Sequence, residues 1–496
     1  MRIGGIASGF DTEQIVNQLM EVERIPLDRI YQQKVRAEWQ RDEYRAFNTK
    51  IARFQELVFN MQLQSTYLAR RVTSSDDSVV SARISGDAQY GVYEIEVTKL
   101  ATAASKVSKP GAGKAFNDYF AENSGTIQIW SNADNEYIDI EIKQGDTIDT
   151  FITAINQNKD LGITAFYDEA TDSFVLQTKN TGENAVIDID IMFNESMGVT
   201  INNEEESTAV KLADLLFAAP KRVTGENAEF KINGLETNRE SNSFTIAGLA
   251  VDLKAAGGAK VKLEVAQDTD AIFDSIKNLV DKYNELINEI HSKINEPFHR
   301  DFPPLTEAQK KEMSDKEIEL WEEKAKSGLL RSDRILTDIV YNMRRALGSV
   351  VGDLDGLNSL HQIGISTGSW FENGKLHINE TKLRDAIANK PEEVMALFTN
   401  RSETEESLGI AIRLYQVLDA GLNRLAKTAG KTTSLYDTST LSEKIRRYED
   451  QMAAMEERLI RIENRYWAQF TAMERALSEM YAQSDWLYQQ MMMMGG

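Results

Sequence analysis

Between Leu441 and Met480 the apolar residues return with a regularity that few folds tolerate. Leu441, Ile445, Tyr448, Met452, Met455, Leu459, Ile462 and Tyr466 are separated by alternating steps of four and three residues. That is the a/d rhythm of a helix that winds around a partner helix. The step from Tyr466 to Phe470 repeats the four, after which Met473, Leu477 and Met480 resume the alternation. One such stutter relaxes the supercoil locally. Thr440 followed by Glu443 reads as a capping box for the start of this helix. Ordering a helix costs roughly 1–2 kcal/mol of backbone entropy per residue, so a long helix with a single apolar seam needs something to pack against.

A second seam lies near the other end of the chain. Tyr44, Phe47, Ile51, Phe54, Val58, Met61 and Leu68 follow the same rhythm, with Ser65 interrupting it. An ordinary amphipathic bundle helix gives a similar periodicity, but seams at both chain ends favour a shared stalk in which the two terminal helices run antiparallel. Upstream, Asp11 with Gln14 forms a first helix cap, Ile15, Leu19 and Val22 make a short stripe, and Pro26 predicts a break or restart.

Between the seams the period changes. Tyr93, Ile95 and Val97 alternate with Glu94 and Glu96, the mark of a half-buried strand. Strands are also expected at Ile127 and Ile129, at Ile138 to Ile142, at Ala165 to Tyr167, at Phe174 to Leu176, at Leu249 to Leu253 and at Val261 to Val265, with a short helix over Ile148 to Ile155. From Asp270 the pattern is helical again, through Ile272, Ile276, Leu279, Tyr283, Leu286, Ile290 and Ile294 to Pro297. Ser314 with Glu317 caps a helix ending near Gly328, another spans Ile335 to Leu347, and Ser407 opens one that closes at Gly430. The order predicts an α+β multidomain fold, with terminal helices forming an antiparallel coiled-coil stalk, a helical body domain, and inserted antiparallel β-rich head domains. The expected boundaries are N-terminal leg helices over 1–43, and a helical body and coiled coil over 44–71 plus 267–490, with a C-terminal leg at about 467–496. An inner β domain is expected over 72–110 plus 220–266, and an outer acidic β domain over 111–219, whose limits are suggested by Pro110 and Pro220.

Charge sharpens that division. The chain carries a formal net charge of −22. From Ala115 to Glu206 there are 19 Asp and Glu against 3 Lys, whereas Arg24 to Arg71 holds 10 basic against 5 acidic residues. An acidic module and a basic stalk that meets other protein follow from this asymmetry, and nucleic acid or an anionic membrane is disfavoured as a partner. No apolar run reaches the length of a membrane span, and Met1 to Met20 lacks the pattern of a cleaved signal peptide, so neither membrane insertion nor conventional export is expected. Cysteine is absent, which removes disulfides and thiol chemistry.

Catalytic and cofactor motifs fail on inspection. Gly430-Lys431-Thr432 resembles the end of a phosphate-binding loop, but Leu425 stands where its first glycine belongs and a helix precedes it where a strand is required. His291, His299, His361 and His377 have no paired ligand spacing. Asp188 and Asp190 read as a solvated strand face, since no loop of alternating oxygen ligands surrounds them. No serine has a nucleophile-elbow frame. No catalytic residue, cofactor or metal is expected, and the chain is not read as an enzyme.

The opening GIASGFDTEQIVNQLMEVERIPLDRI resembles the N-terminus of the FliD family of bacterial flagellar hook-associated proteins, which cap the flagellar filament. The resemblance continues at YEIEVTKLATAASKVS, AEFKINGLETNRESNSFTIAGLAVDLK, NLVDKYNELI, SGLLRSDRIL, QIGISTG and QFTAMERALSEMYAQSDWL, and so spans nearly the whole chain. The segment IDTFITAINQNKDLGITAFYDEATDSFVLQTKNTG is similar to a small motif of flagellin and hook-associated proteins. Phe10 stands where the family more often has leucine, and the run Met491 to Met494 is particular to this sequence. The resemblance implies a homo-oligomeric cap at the extracellular filament tip, secreted by the flagellar type III route without a cleaved signal peptide. It would retain exported flagellin and promote its folding and insertion. Implied partners are further copies of the chain, flagellin, the hook-filament junction proteins, and the flagellar export chaperone with its type III apparatus. Ile15, Leu19 and Val22 would contact flagellin or neighbouring subunits. The competing readings are a cytoplasmic coiled-coil scaffold and a tip-exposed adhesin acting through the β head domains.

Overall fold

In the computed structural model, residues 11–132, 135–192, 216–218, 222–431 and 437–494 are described; Phe10 with the opening motif before it, and Thr432, lie outside them. The chain divides into two compact units, Met1–Leu68 with Thr269–Gly496, and Ala69–Asp268.

The helical unit is framed by the N-terminal helix Thr12–Asn60 and the C-terminal helix Thr440–Met494. The Asp11 carboxylate accepts the Gln14 N–H at 2.9 Å, closing the first turn as expected. The expected break at Pro26 does not occur, and one helix runs through it. Pro26 lies on an exposed flank, where solvent can serve the carbonyl of Val22 that proline leaves without a hydrogen bond. The division between leg and body expected at residue 43 therefore falls inside a continuous helix. The C-terminal helix also starts differently from the expected Thr440 box. Ser439 is the residue whose Oγ accepts the Ser442 N–H at 3.4 Å and whose carbonyl accepts the Glu443 N–H at 2.9 Å, while Thr440 is already helical. Asp437 fixes this cap by accepting the Ser439 N–H at 2.9 Å.

Tyr44, Phe47, Ile51, Phe54 and Val58 are buried along the second half of the N-terminal helix, and Met61 is buried just beyond its end. Their partners correct the expectation that this seam meets the C-terminal helix. It packs antiparallel to helix Ile410–Ala429, with Asn48 donating to the Leu422 carbonyl at 3.4 Å and Gln62 to the Ala411 carbonyl at 3.5 Å. It also packs antiparallel to helix Thr269–Ile294, with Lys50 2.5 Å from Glu289 and the Phe54 and Tyr283 rings 6.4 Å apart. Leu68 lies past the helix and is exposed. Periodicity reports a buried face and is silent about its partner.

The β unit holds two separate cores. The inner one lies between a five-stranded antiparallel sheet and a three-stranded one. The larger sheet is ordered Arg70–Ser74, Lys260–Gln267, Gly91–Lys99, Ala228–Ile232, Leu235–Arg239. The smaller is ordered Ser243–Ile246, Leu249–Leu253, Val80–Ile84. Ile95, Val97, Phe230, Val251 and Leu263 fill the space between them. The outer core is built on two further sheets, Arg222–Thr224, Val186–Met192, Gly125–Trp130, Tyr137–Ile142 and Ala103–Val107, Ser173–Thr181, Ile163–Asp168. Helices Ala112–Phe120 and Ile148–Gln157 pack Phe116, Phe120, Phe151 and Ile155 into it.

Strand pairing moves the expected boundary between these cores. Ala103–Val107 pairs with Ser173–Thr181, and Arg222–Thr224 pairs with Val186–Met192, so both belong to the outer core although they fall outside 111–219. The junction is the bridge between Thr102 and Glu226, where the Thr102 N–H reaches the Glu226 carbonyl at 2.9 Å. Pro110 and Gly111 make a turn leading into helix Ala112–Phe120, inside the module. Replacing 103–225 with a short Gly/Ser turn should therefore leave a soluble chain whose remaining β core melts cooperatively. Replacing 111–219 strands two edge segments without their sheets and should give an aggregating product, with size-exclusion chromatography and thermal melts as the measurements.

Candidate assembly interface

The stalk begins where the N-terminal helix leaves the body. Val16 and Met20 pack with Leu459 and Ile462 of the C-terminal helix, and Leu27, Met455, Tyr466, Trp467 and Phe470 close around them. The Tyr466 hydroxyl donates to Glu23 at 3.0 Å, and Lys34 lies 3.3 Å from Glu449. Rising numbers on one helix meet falling numbers on the other, so the pair is antiparallel. Val16, Met20, Glu23, Leu27, Ile30, Lys34 and Ala37 alternate steps of four and three; the seven-residue spacing of Val16, Glu23, Ile30 and Ala37 reaches Tyr44, where the successive three-residue steps from Arg41 to Tyr44 to Phe47 shift the pattern by one residue. Glu23 and Lys34 occupy seam positions, and their cross-helix partners fix the register.

Along the C-terminal helix, Leu441, Ile445, Leu459 and Ile462 are buried, Tyr448, Met452, Met455, Tyr466, Phe470 and Leu477 are half-buried, and Met473 and Met480 are exposed. The seam shifts at the stutter, bringing Trp467 into the cluster. The expected leg residues do not share the buried face. Ile15 is half-buried, while Leu19 and Val22 are exposed beside exposed Ile25. Beyond Met480 the helix presents Tyr481, Trp486, Leu487, Tyr488 and Met491 to Met493, all exposed. Leu19, Val22 and Ile25 on one helix and this aromatic and methionine surface on the other are the features suited to an intermolecular contact.

Three helices are tied together at the root of the stalk. Arg45 donates from Nε to the Ala429 carbonyl at 2.9 Å and from its terminal nitrogen to Asp437 at 2.7 Å. Burial on its own would raise the Asp437 carboxyl, but hydrogen bonds from Ser442 and Ser439 and the charge of Arg45 outweigh it and hold the group down at about 2. Gly430 ends helix Ile410–Ala429 with φ +75°, and a Cβ there would collide with the Asp437 carboxylate. From the residue before Arg45, the Tyr44 hydroxyl donates to Asp333, which also caps helix Arg334–Gly348 by accepting the Leu336 N–H at 2.9 Å. Burial, together with this carboxylate, pushes the Tyr44 hydroxyl well above its ordinary range.

The sites weighed for chemistry are occupied structurally. Asp188 accepts the Tyr137 hydroxyl at 3.0 Å and lies 3.9 Å from Arg222, and His377 sits 2.7 Å from Glu372. Among the described residues no three His, Asp or Glu side chains gather as a metal set, and no helix is long and apolar enough to cross a membrane.

Family profiles decide what kind of chain carries this stalk. The profile for the flagellar hook-associated protein 2 N-terminus matches residues 8–104, and that for the flagellar hook-associated protein 2 C-terminus matches residues 225–482. The flagellar hook-associated protein 2 of Halalkalibacterium halodurans is 31% identical, over 97% of this chain and 98% of that protein. The chain belongs to the flagellar hook-associated protein 2, or FliD, family. The Thermotoga maritima flagellar hook-associated protein 2 is 25% identical over 98% of this chain and 95% of its own length. The fold agrees with the crystal structure of the Escherichia coli flagellar cap protein FliD D1-D2-D3 domains, at TM-score 0.52 and 20% identity over 82% of this chain and all but 1% of that one. In this FliD-family chain the described residues of the stretch matched by neither profile, 105–224, lie within the outer β core bounded by Thr102 and Glu226.

The Asp437 node gives an acid-stability test. Because its carboxyl is held below the ordinary value of 3.8, the node stabilises the folded chain fully above that pH and loses its effect as pH falls toward 2. Asp437→Asn should lower the melting temperature of the helical unit at pH 6, and the gap to the native chain should close between pH 4 and pH 2. Calorimetry at a series of pH values checks this, and a gap that stays constant across the series would contradict it.

Proposed function

We propose that the chain is a homo-oligomeric cap at the distal end of a bacterial flagellar filament, which retains exported flagellin and promotes its folding and insertion beneath the cap. The observation that carries this reading is a stalk made from both chain ends in a chain of this family. Its C-terminal helix continues past the start of its own partner helix as an exposed aromatic and methionine surface. Such a surface is adaptable, because methionine side chains repack against varied apolar partners. It suits contact with successive flagellin subunits, with neighbouring cap subunits and with hook-filament junction proteins.

The same construction fits export through the flagellar type III apparatus with its chaperone, and an extracellular location at the filament tip. The two helices of the stalk are separated by the body and the β unit in sequence, so the stalk forms only after the second of them has emerged. A chain without cysteine needs no oxidative step on arrival. The role is structural: the side chains gathered at the helix junctions hold helices to one another, and the solved relative from Escherichia coli is described as a cap protein.

A strain lacking the gene should synthesise and export flagellin but release it as soluble monomer and carry short or absent filaments. Leu459→Glu should reproduce the defect, since an unpaired carboxylate in the Val16, Met20, Ile462 cluster costs several kcal/mol or forces the helices apart. The readouts are flagellin in culture supernatant and filament length by electron microscopy. Normal filaments without excess soluble flagellin in the deletion strain would overturn the reading.

A further inference from the structure

One groove in the helical unit is lined by basic side chains alone among its charged residues. Arg29, Gln32, Gln33 and Arg36 follow one another at helical spacing on a face of the N-terminal helix, and Phe298, Arg300, Pro303 and Pro304 form the opposite wall of a space of about 320 Å³. Arg36 lies over the Phe298 ring at 4.9 Å, and its Nε is buried without a hydrogen-bond partner. Among the described residues, Arg29, Arg36 and Arg300 make no ion pair. In a chain with 78 acidic and 56 basic residues, three arginines around one groove with no carboxylate in its lining form a site built for an anionic partner.

The complementary surface is on the outer β module. Tyr137, Asp139 and Glu141 point to one exposed face of the edge strand Tyr137–Ile142, while Ile140 and Ile142 point to the core. Asp188 shares that exposed face from a strand two positions away, as its bond to the Tyr137 hydroxyl shows. Neighbouring strands lie about 4.8 Å apart and residues rise about 3.3 Å along a strand, so Asp188, level with Tyr137, and Asp139, two residues further along, are separated by roughly 12 Å diagonally across the sheet. Arg29 and Arg36 are seven residues apart on a helix, about 10.5 Å along its axis. Among the described residues Arg222 is the one basic group that pairs with Asp188, at 3.9 Å, and Glu141 has no ion-pair partner.

We propose that the arginine groove of one copy receives the acidic sheet face of the outer module of a second copy, so that copies assemble head to tail. A contact between two different patches repeats around a ring, whereas a patch that pairs with itself stops at a dimer. The inference rests on the homo-oligomeric reading, and its test uses the purified full-length chain in which that reading is measured separately. Arg29 and Arg300 are exposed and can be reversed without touching the core, leaving Arg36 on Phe298.

Sedimentation velocity of the native chain, Arg29→Glu/Arg300→Glu, Asp139→Lys/Glu141→Lys, and an equimolar mixture of the two variants tests it, with circular dichroism showing that each is folded. The native chain should assemble at low salt and dissociate progressively as salt is raised. Each variant alone should lose at least tenfold in assembly affinity, and the mixture should recover oligomers, because a reversed groove then meets a reversed face. Native-like assembly by either folded variant would overturn the groove while leaving the cap reading intact. Loss in both variants without recovery on mixing would also overturn the pairing. A native chain that stays monomeric at all concentrations would overturn the homo-oligomeric reading itself.

Discussion

The helical unit depends on one long helix whose seam serves two partners in succession. From Val16 to Ala37 the N-terminal helix offers its seam to the C-terminal helix, and from Tyr44 to Val58 it offers the continuation of that seam to the body helices Ile410–Ala429 and Thr269–Ile294. The exchange happens at Tyr44 and Arg45, which bind Asp333 and Asp437. Because one rigid helix crosses from body to stalk, force applied to the stalk reaches the body without a flexible joint. The proline that would have supplied a joint is absorbed on a solvent-facing flank.

Much of this was legible in the sequence, and the omissions have physical causes. The C-terminal seam and the alternating strands at Gly91–Lys99, Gly125–Trp130 and Lys260–Gln267 were visible because apolar side chains mark their buried faces directly. The first half of the N-terminal seam was hidden because Glu23 and Lys34 sit at its core-facing positions and are stabilised by Tyr466 and Glu449, groups 400 or more residues away. The pairs Ile15-Val16 and Leu19-Met20 put apolar residues on two neighbouring faces, and the choice between them is made by the partner helix, so Val16 and Met20 are buried where Leu19 is exposed. Short strands such as Leu235–Arg239 carry little apolar alternation and are held by their neighbours in the sheet. Pro110 looked like a domain edge for a similar reason: a proline marks a turn, and only strand pairing tells whether the turn lies between modules or within one.

The arginine groove illustrates the same limit at the level of sites. Arg29 and Arg36 look ordinary in a basic stretch of helix, and Arg300 is more than 260 residues away. Their convergence depends on the loop carrying Phe298, Pro303 and Pro304 lying against the helix. The outer module has a complementary history in the sequence: its acidity was evident from composition, but its usable face was defined only when the sheet register placed Tyr137, Asp139 and Asp188 together. The two family profiles end close to the junction of this module, matching residues 8–104 before it and 225–482 after it.

The antiparallel pairing of the terminal helices is tested most directly by distance. The native sequence has no cysteine, so spin labels can be placed at single introduced cysteines without background. Glu21 and Ala468 are both exposed, near the Glu23 to Tyr466 hydrogen bond. Pulsed electron resonance on full-length protein diluted with unlabelled chain should give a narrow distribution below about 25 Å for Glu21→Cys with Ala468→Cys. Glu21→Cys with Glu443→Cys should read longer by roughly the 37 Å that 25 helical residues span, less the offset between the helices. The opposite order, or a broad long distribution for the first pair, would contradict the antiparallel stalk.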